Sequence, residues 1–562
     1  MTPPLKTPGS LPSRSQRSAL RNSIPLAIIT AVLLDFCFPV AGPMPRWHAL
    51  IAWVALIPLL WALLRERAVQ HPRYIRRAAF TGYVCGVVWY ILNCYWIYQT
   101  MLYYGHVPPF GSAGIVVLFS AVLGLYFGLF GLGLAFFRQR FGIVVALALA
   151  PFLWTALELA AARITSVPWD QLGYSQVDNL ILTRLAPWTG VYGISFVLVL
   201  ANVWFAGVWL ARKQLRDSVR VGVSIVILVL LALNARWSEP GASATSDYAV
   251  LLQPNIDVEP PDNWKGSEWQ GNISWLTAAA RQTCTPTFAG MPVPETPPPA
   301  QSCPENTPPP GIVLWPEVGS WMRSDDPRTL ALLRTVATSA NAPFIAGMEG
   351  EDPAGIYNSA VFVDSNGAVA GRYDKIHLVP FGEYIPYRDL LFFANHLTRQ
   401  VGDFTRGRNR SVFQTGGHTF GVFICYESVF ADEVRLFAKN GAQVLVNISD
   451  DGWYGDTSAP WQHLNMVRMR AIENDRWILR DTNNGVTTVI DPEGRVTVSA
   501  ARHTITSLVA RYGYKSDLTF YTRYGDVFAW LCCAVCLLAL IVGVLPRRRL
   551  PDGRTSSSAS AL

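Results

Sequence analysis

Three residues in the C-terminal half of the chain have the types that acyl transfer requires: a carboxylate, an amine and a thiol. Glu317 follows the apolar run 312–316, Lys375 follows a predicted hairpin strand, and Cys425 ends the run 421–424. A nucleophile at the end of a buried strand can be aimed rigidly into a pocket. In such a set the carboxylate takes the thiol proton, the thiolate attacks a carbonyl carbon, and the ammonium stabilises the oxyanion. Taken singly, each residue is typical of a core thiol or a surface ion pair.

The elements that must position these residues begin near Tyr248. Apolar runs of buried-strand length alternate with helical patterns, and two pairs of runs flank the turn sequences Ser365-Asn-Gly and Asp491-Pro-Glu-Gly. The mixture predicts helices covering sheets, an α/β sandwich. The predicted strands are Tyr248–Gln253, Gly311–Trp315, Phe344–Gly347, Asn358–Asp364, Ala368–Tyr373, 421–424, Gln443–Ile448, Val486–Ile490 and Val496–Val498, and the predicted helices are Asp326–Ala340, Val429–Lys439 and Pro460–Asn474.

The rest of the chain is too apolar for an ordinary soluble protein. Hydrophobic residues make up 51% of the sequence and charged residues only 15%, a composition that predicts membrane segments. About eight apolar stretches are each about 17 to 27 residues long, enough for a helix to cross a hydrocarbon core of roughly 30 Å. The predicted spans are Ile24–Val40, His48–Leu64, Ala79–Thr100, Gly111–Phe137, Phe141–Ala161, Val191–Ala211, Val219–Ala235 and Val527–Leu545.

Basic residues alternate between the loops that join these spans. Arginine and lysine fill the second, fourth and sixth loops and follow the last span, at 65–77, 138–140, 212–220 and 547–549. The loop Tyr103–Phe110 carries no Lys, Arg, Asp or Glu. The positive-inside rule therefore places both termini in the cytoplasm and the α/β region outside. The same distribution explains the net charge of +7 better than a nucleic-acid-binding face does.

These assignments divide the chain into a bundle of spans one to seven, an extracytoplasmic catalytic domain, an eighth span and a cytoplasmic basic and serine-rich tail. The four parts are 1–236, 237–526, 527–545 and 546–562. Within the catalytic domain the proline-rich segment 283–311 holds neither helix nor strand and is interpreted as a surface insertion. Cys284 and Cys303 could pair across it in an oxidising compartment or remain two free thiols.

Six motifs occur in order along the α/β region. They are Leu314-Trp-Pro-Glu317, Tyr373-Asp-Lys-Ile-His-Leu-Val-Pro-Phe-Gly-Glu-Tyr-Ile-Pro386, Ile424-Cys-Tyr-Glu427, Asn447-Ile-Ser-Asp-Asp-Gly-Trp-Tyr-Gly455, Pro460-Trp-Gln-His463 and Arg470-Ala-Ile-Glu-Asn474. With these motifs and its spans, the chain resembles the apolipoprotein N-acyltransferases, the membrane-anchored branch of the nitrilase (carbon–nitrogen hydrolase) superfamily. The resemblance implies a multi-span α-helical bundle joined to a nitrilase-like α/β sandwich with αββα layers.

The resemblance also assigns roles to individual residues. It implies a Glu-Lys-Cys triad formed by Glu317, Lys375 and Cys425. Glu383 matches a second family glutamate, which is expected to hold the lysine charged and in position.

Further family positions are implied beside the nucleophile and near the start of the domain. Tyr426 and Glu427 flank Cys425 and are expected to shape the acyl pocket or the oxyanion site. A family tryptophan corresponds to Trp264 or to Trp269, since the residues before them depart from the family spacing.

The implied reaction is a two-step, ping-pong acyl transfer, the last step of bacterial lipoprotein maturation at the inner (cytoplasmic) membrane. Cys425 takes an acyl chain from a phospholipid, with phosphatidylethanolamine as the expected donor, and passes it to the α-amine of a diacylglyceryl-cysteine at the apolipoprotein N-terminus. No nucleotide or metal cofactor is expected. The apolar run Leu390–Leu397 could form a lid on the membrane surface or a buried helical turn.

Three alternatives stay open at this point. A membrane-anchored amidase would use the same triad with water as the acceptor. A transporter with an accessory domain would place paired polar residues at mid-membrane, and the predicted spans contain few. An inactive lipoprotein-binding scaffold would require the Glu-Lys-Cys set to be accidental.

Overall fold

The N-terminal region of the computed structural model is helical. The structure describes residues 23–65, 69, 71, 73–210, 222, 241–258, 309–317, 322–380, 382–384 and 404–545. Proline in the first turn suits the start of α1 and of α3, because the missing N–H has no helical partner there. The helices before the α/β region are α1 (Ile24–Asp35), α2 (His48–Ile51), α3 (Ile57–Leu64), α4 (Tyr74–Asn93), α5 (Trp96–Tyr103), α6 (Pro109–Phe141), α7 (Ile143–Ile164), α8 (Ala186–Thr189) and α9 (Val191–Leu210).

The sequence predicts eight spans, and the described residues contain fewer helices that are long and apolar enough to cross a membrane. In the described part of the chain α6, α7 and the C-terminal helix α14 (Val527–Val544) meet that criterion, and α4 and α5 meet it as a pair bent by 52°. The described residues therefore contain three candidate spans, or four if the bent pair is one span. The predicted first span shortens to α1, whose 12 residues reach only about 18 Å.

Two other predicted spans also differ. The stretch His48–Leu64 is divided into α2 and α3 by non-helical residues before Pro58. The predicted sixth span corresponds to α9, whose apolar part Val191–Gly207 is shorter than the three candidate spans. The predicted seventh, Val219–Ala235, lies outside the described residues.

Small residues let the long helices of this bundle approach closely. A Cβ atom at Gly82 of α4 would collide with the backbone carbonyl of Phe127, and one at Gly131 of α6 with that of Ala78. Inside a membrane the hydrophobic effect does not drive helices together, because lipid tails are as apolar as the side chains. Helices there associate through close backbone packing of this kind.

Two six-stranded sheets form the core of the α/β region. Their strand orders are β12-β1-β2-β3-β4-β5 and β11-β10-β9-β8-β7-β6. The strands β1–β2–β3 and β7–β8–β9 are parallel, so their carboxyl ends meet at one edge of each sheet. The strands are β1 (Asp247–Gln253), β2 (Ile312–Trp315), β3 (Phe344–Asp352), β4 (Gly355–Val363), β5 (Val369–Asp374), β6 (Val412–Thr415), β7 (His418–Ile424), β8 (Val444–Ser449), β9 (Trp477–Thr482), β10 (Thr488–Ile490), β11 (Val496–Ser499) and β12 (Thr506–Tyr512).

Helices cover the outer face of each sheet. The helix α10 (Pro327–Ala340) packs on the first sheet, with Leu333 and Val336 in one buried cluster with Val250 and Val313. The helices α11 (Ala431–Lys439) and α12 (Ala459–Asn474) pack on the second sheet. The alternate residues of β1 face the second sheet, which gives the predicted αββα layers.

The α/β region is seated on the end of the helical bundle. Arg163, in the last turn of α7, pairs with Asp432 of α11 and with Asp526, which precedes α14. The short helix α13 (Phe520–Tyr524) lies just before that junction. Trp169, in the loop after α7, donates its Nε1–H to Gln462 Oε1 of α12 at 2.9 Å.

Candidate active site

The structure brings the predicted triad together between the two sheets. Glu317 lies two residues past β2, Lys375 directly follows β5, and Cys425 directly follows β7. The Lys375 Nζ atom lies 3.2 Å from Glu317 Oε1. All three residues are buried, with exposed fractions of 9% for Glu317, 1% for Lys375 and 6% for Cys425.

The backbone at Cys425 turns sharply where the strand ends. Its φ is +47°, in the left-handed region that a residue with a Cβ rarely adopts, and the chain continues into a 3₁₀ helix, Cys425–Val429. A strained position of this kind costs about 1 to 3 kcal/mol and persists only where the surroundings hold it. Here the Ile424 N–H donates to Glu427 Oε2 at 2.7 Å, and His463 Nε2 lies 3.1 Å from the Cys425 carbonyl oxygen.

Two carboxylates share the buried ammonium of Lys375. Its Nζ lies 2.9 Å from Glu383 Oε1 as well as 3.2 Å from Glu317 Oε1. Burial alone would lower the pKa of Lys375, but Glu317 and Glu383 raise it well above its usual value. The lysine therefore stays positively charged, as expected for the partner of an oxyanion. Glu383 contacts Lys375, and its role in holding the lysine stays a prediction.

Asn358 joins these two carboxylates, and sequence reasoning missed it. Its Nδ2 group donates to Glu317 Oε1 at 2.6 Å and to Glu383 Oε1 at 2.7 Å. The second oxygens accept backbone N–H groups, from Asp450 at 2.9 Å for Glu317 and from Val379 at 2.8 Å for Glu383. The available signal was an amide side chain within the apolar run of a predicted hairpin strand.

The Cys425 thiol must lose its proton to a base before it can react as a nucleophile. Burial and the neighbouring Glu317 raise its pKa well above the usual value, while Lys375 acts in the opposite direction. The thiol is therefore protonated at rest, and a nucleophilic reaction must remove its proton. Glu317 is a carboxylate next to that thiol, and the ammonium of Lys375 is next to both.

Glu427 is held in place by hydrogen bonds from within the protein. Its two oxygens accept hydrogen bonds from the protein itself: from the Tyr373 hydroxyl at 2.8 and 2.9 Å, and from the Ile376, His377 and Ile424 backbone N–H groups at 2.7, 3.1 and 2.7 Å. The side chain is 2% exposed. Because every one of these donors is internal, Glu427 ties the segment around Lys375 to the turn at Cys425. Its expected part in shaping an acyl pocket or an oxyanion site stays a prediction.

Tyr426 points instead toward the membrane bundle. Its hydroxyl donates to the carbonyl of Ser166, two residues past the end of α7, at 2.9 Å. Burial and the nearby Tyr384 raise its pKa above the usual value. Tyr426 therefore lies between the nucleophile and the segment that leaves the bundle.

Sequence reasoning also missed a buried network of polar and charged side chains next to Cys425. The His463 Nδ1 atom lies 3.0 Å from Asp451 Oδ1, and its Nε2 atom lies 2.5 Å from Ser428 Oγ and 3.1 Å from the Cys425 carbonyl oxygen. Arg480 donates to Asp451 Oδ2 at 2.6 Å. His463, Asp451 and Arg480 are all fully buried. The sequence signal was the Pro460-Trp-Gln-His463 motif, which carried no role until the fold placed it.

Several sequence predictions fall on residues outside the described part of the chain. They are the family tryptophan, Trp264 or Trp269, the possible disulfide between Cys284 and Cys303, and the apolar run Leu390–Leu397.

Comparison with known proteins covers both halves of the chain. The family model described as the apolipoprotein N-acyltransferase N-terminal domain matches residues 30–204, and the carbon–nitrogen hydrolase model matches residues 261–512. The first match covers the helical bundle, and the second covers most of the α/β region with the three buried residues described above.

Whole-chain relatives give the same result. An apolipoprotein N-acyltransferase of Geobacter metallireducens is 32% identical over 93% of this chain and 95% of the relative. One from Methylococcus capsulatus is 30% identical over 93% and 96%, respectively. Among solved structures, an amidase from Nesterenkonia sp. is similar at 20% identity and a TM-score of 0.35 over 53% of this chain and 99% of that chain. That likeness is too low to add to the argument.

Proposed function

This chain belongs to the apolipoprotein N-acyltransferase family, and we propose that Cys425 carries the acyl group between a phospholipid donor and a lipoprotein acceptor. The enzyme is an N-acyltransferase whose substrates are lipids and lipoproteins at a membrane. The observation that carries the residue assignment is the buried Lys375 ammonium, shared by two carboxylates beside a thiol that is protonated at rest.

In the first step the Glu317 carboxylate takes the proton of the Cys425 thiol, and the thiolate attacks the carbonyl carbon of the donor ester. The Lys375 ammonium stabilises the oxyanion that forms. As the tetrahedral intermediate collapses, its C–O bond to the glycerol breaks, and the departing oxygen takes the proton back from Glu317. A lysophospholipid leaves, and the acyl chain remains on sulfur as a thioester.

In the second step the neutral α-amine of the lipoprotein attacks the thioester carbonyl carbon. Glu317 accepts a proton from the amine nitrogen, the C–S bond breaks, and that proton returns to the thiolate of Cys425. An amide is more stable than a thioester, so this step runs downhill without a nucleotide. Lys375 stabilises the oxyanion again, which requires that its charge persist through both steps.

Membership of this family favours an amine over water as the acceptor, and hence an acyltransferase over an amidase. We take phosphatidylethanolamine as the donor. We also place the α/β region on the periplasmic face of the inner membrane with both termini in the cytoplasm, which the arginine distribution of the loops supports.

The test is to trap the acyl-enzyme. The purified full-length protein is incubated with phosphatidylethanolamine, quenched in acid and measured by intact-protein mass spectrometry. We expect a gain of one acyl chain on Cys425 that hydroxylamine removes, and its transfer to a diacylglyceryl lipopeptide added afterwards. Cys425→Ala should show no gain, and Cys94→Ala, which removes a buried thiol of the bundle, should behave as the wild type.

Two results would contradict the proposal. Acylation of another residue, or an unchanged mass gain in Cys425→Ala, would exclude Cys425 as the carrier. Release of free fatty acid in place of N-acylated lipopeptide would support the amidase alternative.

A further inference from the structure

An exposed arginine lies at the rim of the site, on a segment that backbone hydrogen bonds hold against the lysine. The Thr405 N–H donates to the Ile356 carbonyl at 2.6 Å, and the Gly407 N–H donates to the Lys375 carbonyl at 2.8 Å. Arg406 lies between these two anchors and is exposed. The backbone of Arg406 is therefore fixed beside the backbone of Lys375.

A tyrosine supports the guanidinium of Arg406 from one side. Its Cζ atom lies 4.6 Å from the centre of the Tyr384 ring, a cation–π contact that orients the flat guanidinium. Tyr384 follows Glu383 directly in the chain and is close enough to Tyr426, the residue after the nucleophile, to affect its pKa. The supported guanidinium therefore lies on the segment that is hydrogen-bonded to the Lys375 backbone, beside the tyrosine that follows Glu383.

Arg406 forms no ion pair within the part of the chain that the structure describes. Among the described residues its guanidinium has the Tyr384 ring as a contact and no carboxylate partner. Glu383, the residue before Tyr384, is already occupied by Lys375, Asn358 and the Val379 N–H. A planar fork of N–H donors in this state matches the oxygens of a phosphate.

The position of Cys425 relative to the end of α7 is consistent with a phosphate ligand at Arg406. Tyr426, the residue after Cys425, is bonded to Ser166, just past the end of the candidate span α7, so Cys425 lies near the level at which this helix ends. In a phospholipid the acyl ester and the phosphate lie on the same glycerol unit at the edge of the hydrocarbon core. An ester placed at Cys425 therefore leaves a phosphate close by.

We propose that Arg406 binds the phosphodiester of the acyl donor and so selects phospholipids over uncharged acyl glycerols. The inference rests on the proposed phospholipid donor and adds the group that recognises it. The guanidinium contacts the phosphate and not the headgroup beyond it, so phosphatidylethanolamine and phosphatidylglycerol should depend on it equally.

The experiment compares three donors with the same acyl chains: phosphatidylethanolamine, phosphatidylglycerol and diacylglycerol, presented in detergent micelles. The rate of Cys425 acylation is measured for the full-length wild type, Arg406→Gln, Arg406→Lys and Arg408→Gln. Loss of a charge-assisted contact should lower kcat/KM of Arg406→Gln about 10- to 100-fold for both phospholipids, mainly through KM, with diacylglycerol unchanged. Arg406→Lys should recover part of the loss, because it keeps the charge without the fork.

Arg408 supplies the matched control, since it is an exposed arginine of the same segment. Arg408→Gln should leave all three rates unchanged. An equal loss with diacylglycerol in Arg406→Gln, or no loss with any donor, would overturn the inference while wild-type acylation upholds the proposed function. A wild type that neither phospholipid acylates would remove the donor itself and this inference with it.

Discussion

Replacing Glu427 by glutamine tests whether one buried carboxylate holds the two halves of the site together. The carboxylate accepts from four donors: the Tyr373 hydroxyl and the backbone N–H groups of Ile376, His377 and Ile424. Three of them belong to the segment around Lys375, and Ile424 immediately precedes the nucleophile. A glutamine has the same shape but has one acceptor oxygen and one NH₂ group.

The cost of this change follows from the donor count. Whichever way the amide is turned, its NH₂ group must face a backbone N–H, which leaves a buried donor unpaired at about 1 to 3 kcal/mol. The remaining hydrogen bonds lose their charge assistance, which roughly halves their strength. Relief from burying a charge offsets part of this loss, so we expect Glu427→Gln to lower the free energy of unfolding by about 2 to 4 kcal/mol.

The assay has two readouts. Thermal unfolding of the full-length protein should shift down by about 3 to 7 °C. At a temperature where the variant is still folded, acylation of Cys425 should slow by at least about tenfold, because the turn at the nucleophile is no longer fixed relative to Lys375. Tyr373→Phe is the control: it removes one donor, leaves three in place, and should cost only about 1 kcal/mol. A Glu427→Gln protein with wild-type stability and acylation rate would refute this reasoning.

Two further predictions concern the groups around the nucleophile. His463→Asn, which can keep the Asp451 contact but not the one to the Cys425 carbonyl, should slow Cys425 acylation at least about tenfold, whereas His463→Gln, whose amide reaches the carbonyl, should slow it less; equal rates in the two variants would contradict a positioning role. Burial and then Glu317 raise the pKa of Asp450 to about 8, so the folded protein binds a proton that the unfolded chain has released. Stability should therefore fall as pH rises from about 4 to 8, by up to about 1.4 kcal/mol per unit from this group. Thermal unfolding across that range should show a flatter slope for Asp450→Asn, and identical slopes would exclude the assignment.

The strands that precede Glu317, Lys375 and Cys425 could be predicted from local signals, since β2 and β7 are apolar runs and β5 follows a hairpin turn. The residues Glu317, Lys375 and Cys425 follow the ends of β2, β5 and β7, as the pattern at each strand end indicates. The strand β9 escaped prediction, because its run contains Arg480, a fully buried residue that pairs with Asp451. Local hydrophobicity cannot show that a charge will be paired inside the core.

The supporting residues could not be found in this way. Asn358 reaches Glu317 across 41 residues of sequence, and His463 reaches Cys425 across 38, so no local pattern records either contact. Sequence reasoning missed the contacts of Glu427 for a different reason. Adjacency to a nucleophile suggests a side chain that faces the substrate, but the 3₁₀ turn directs this one back to the N–H of Ile424.

The same turn explains how a soluble-type α/β sandwich can act on lipid. The residue after the nucleophile, Tyr426, is bonded to Ser166, and Ser166 lies three residues after Arg163, whose ion pairs with Asp432 and Asp526 hold the α/β region to α7 and to the start of α14. The side chain of Tyr426 therefore links the residue after Cys425 directly to the loop that follows the candidate span α7. Since the acyl esters of a phospholipid lie at that edge of the hydrocarbon core, an ester can meet the thiol while its acyl chains remain in the membrane. In the mechanism proposed above, this rigid placement of Cys425 near the end of α7 is what lets the thiol reach the esters of membrane lipids.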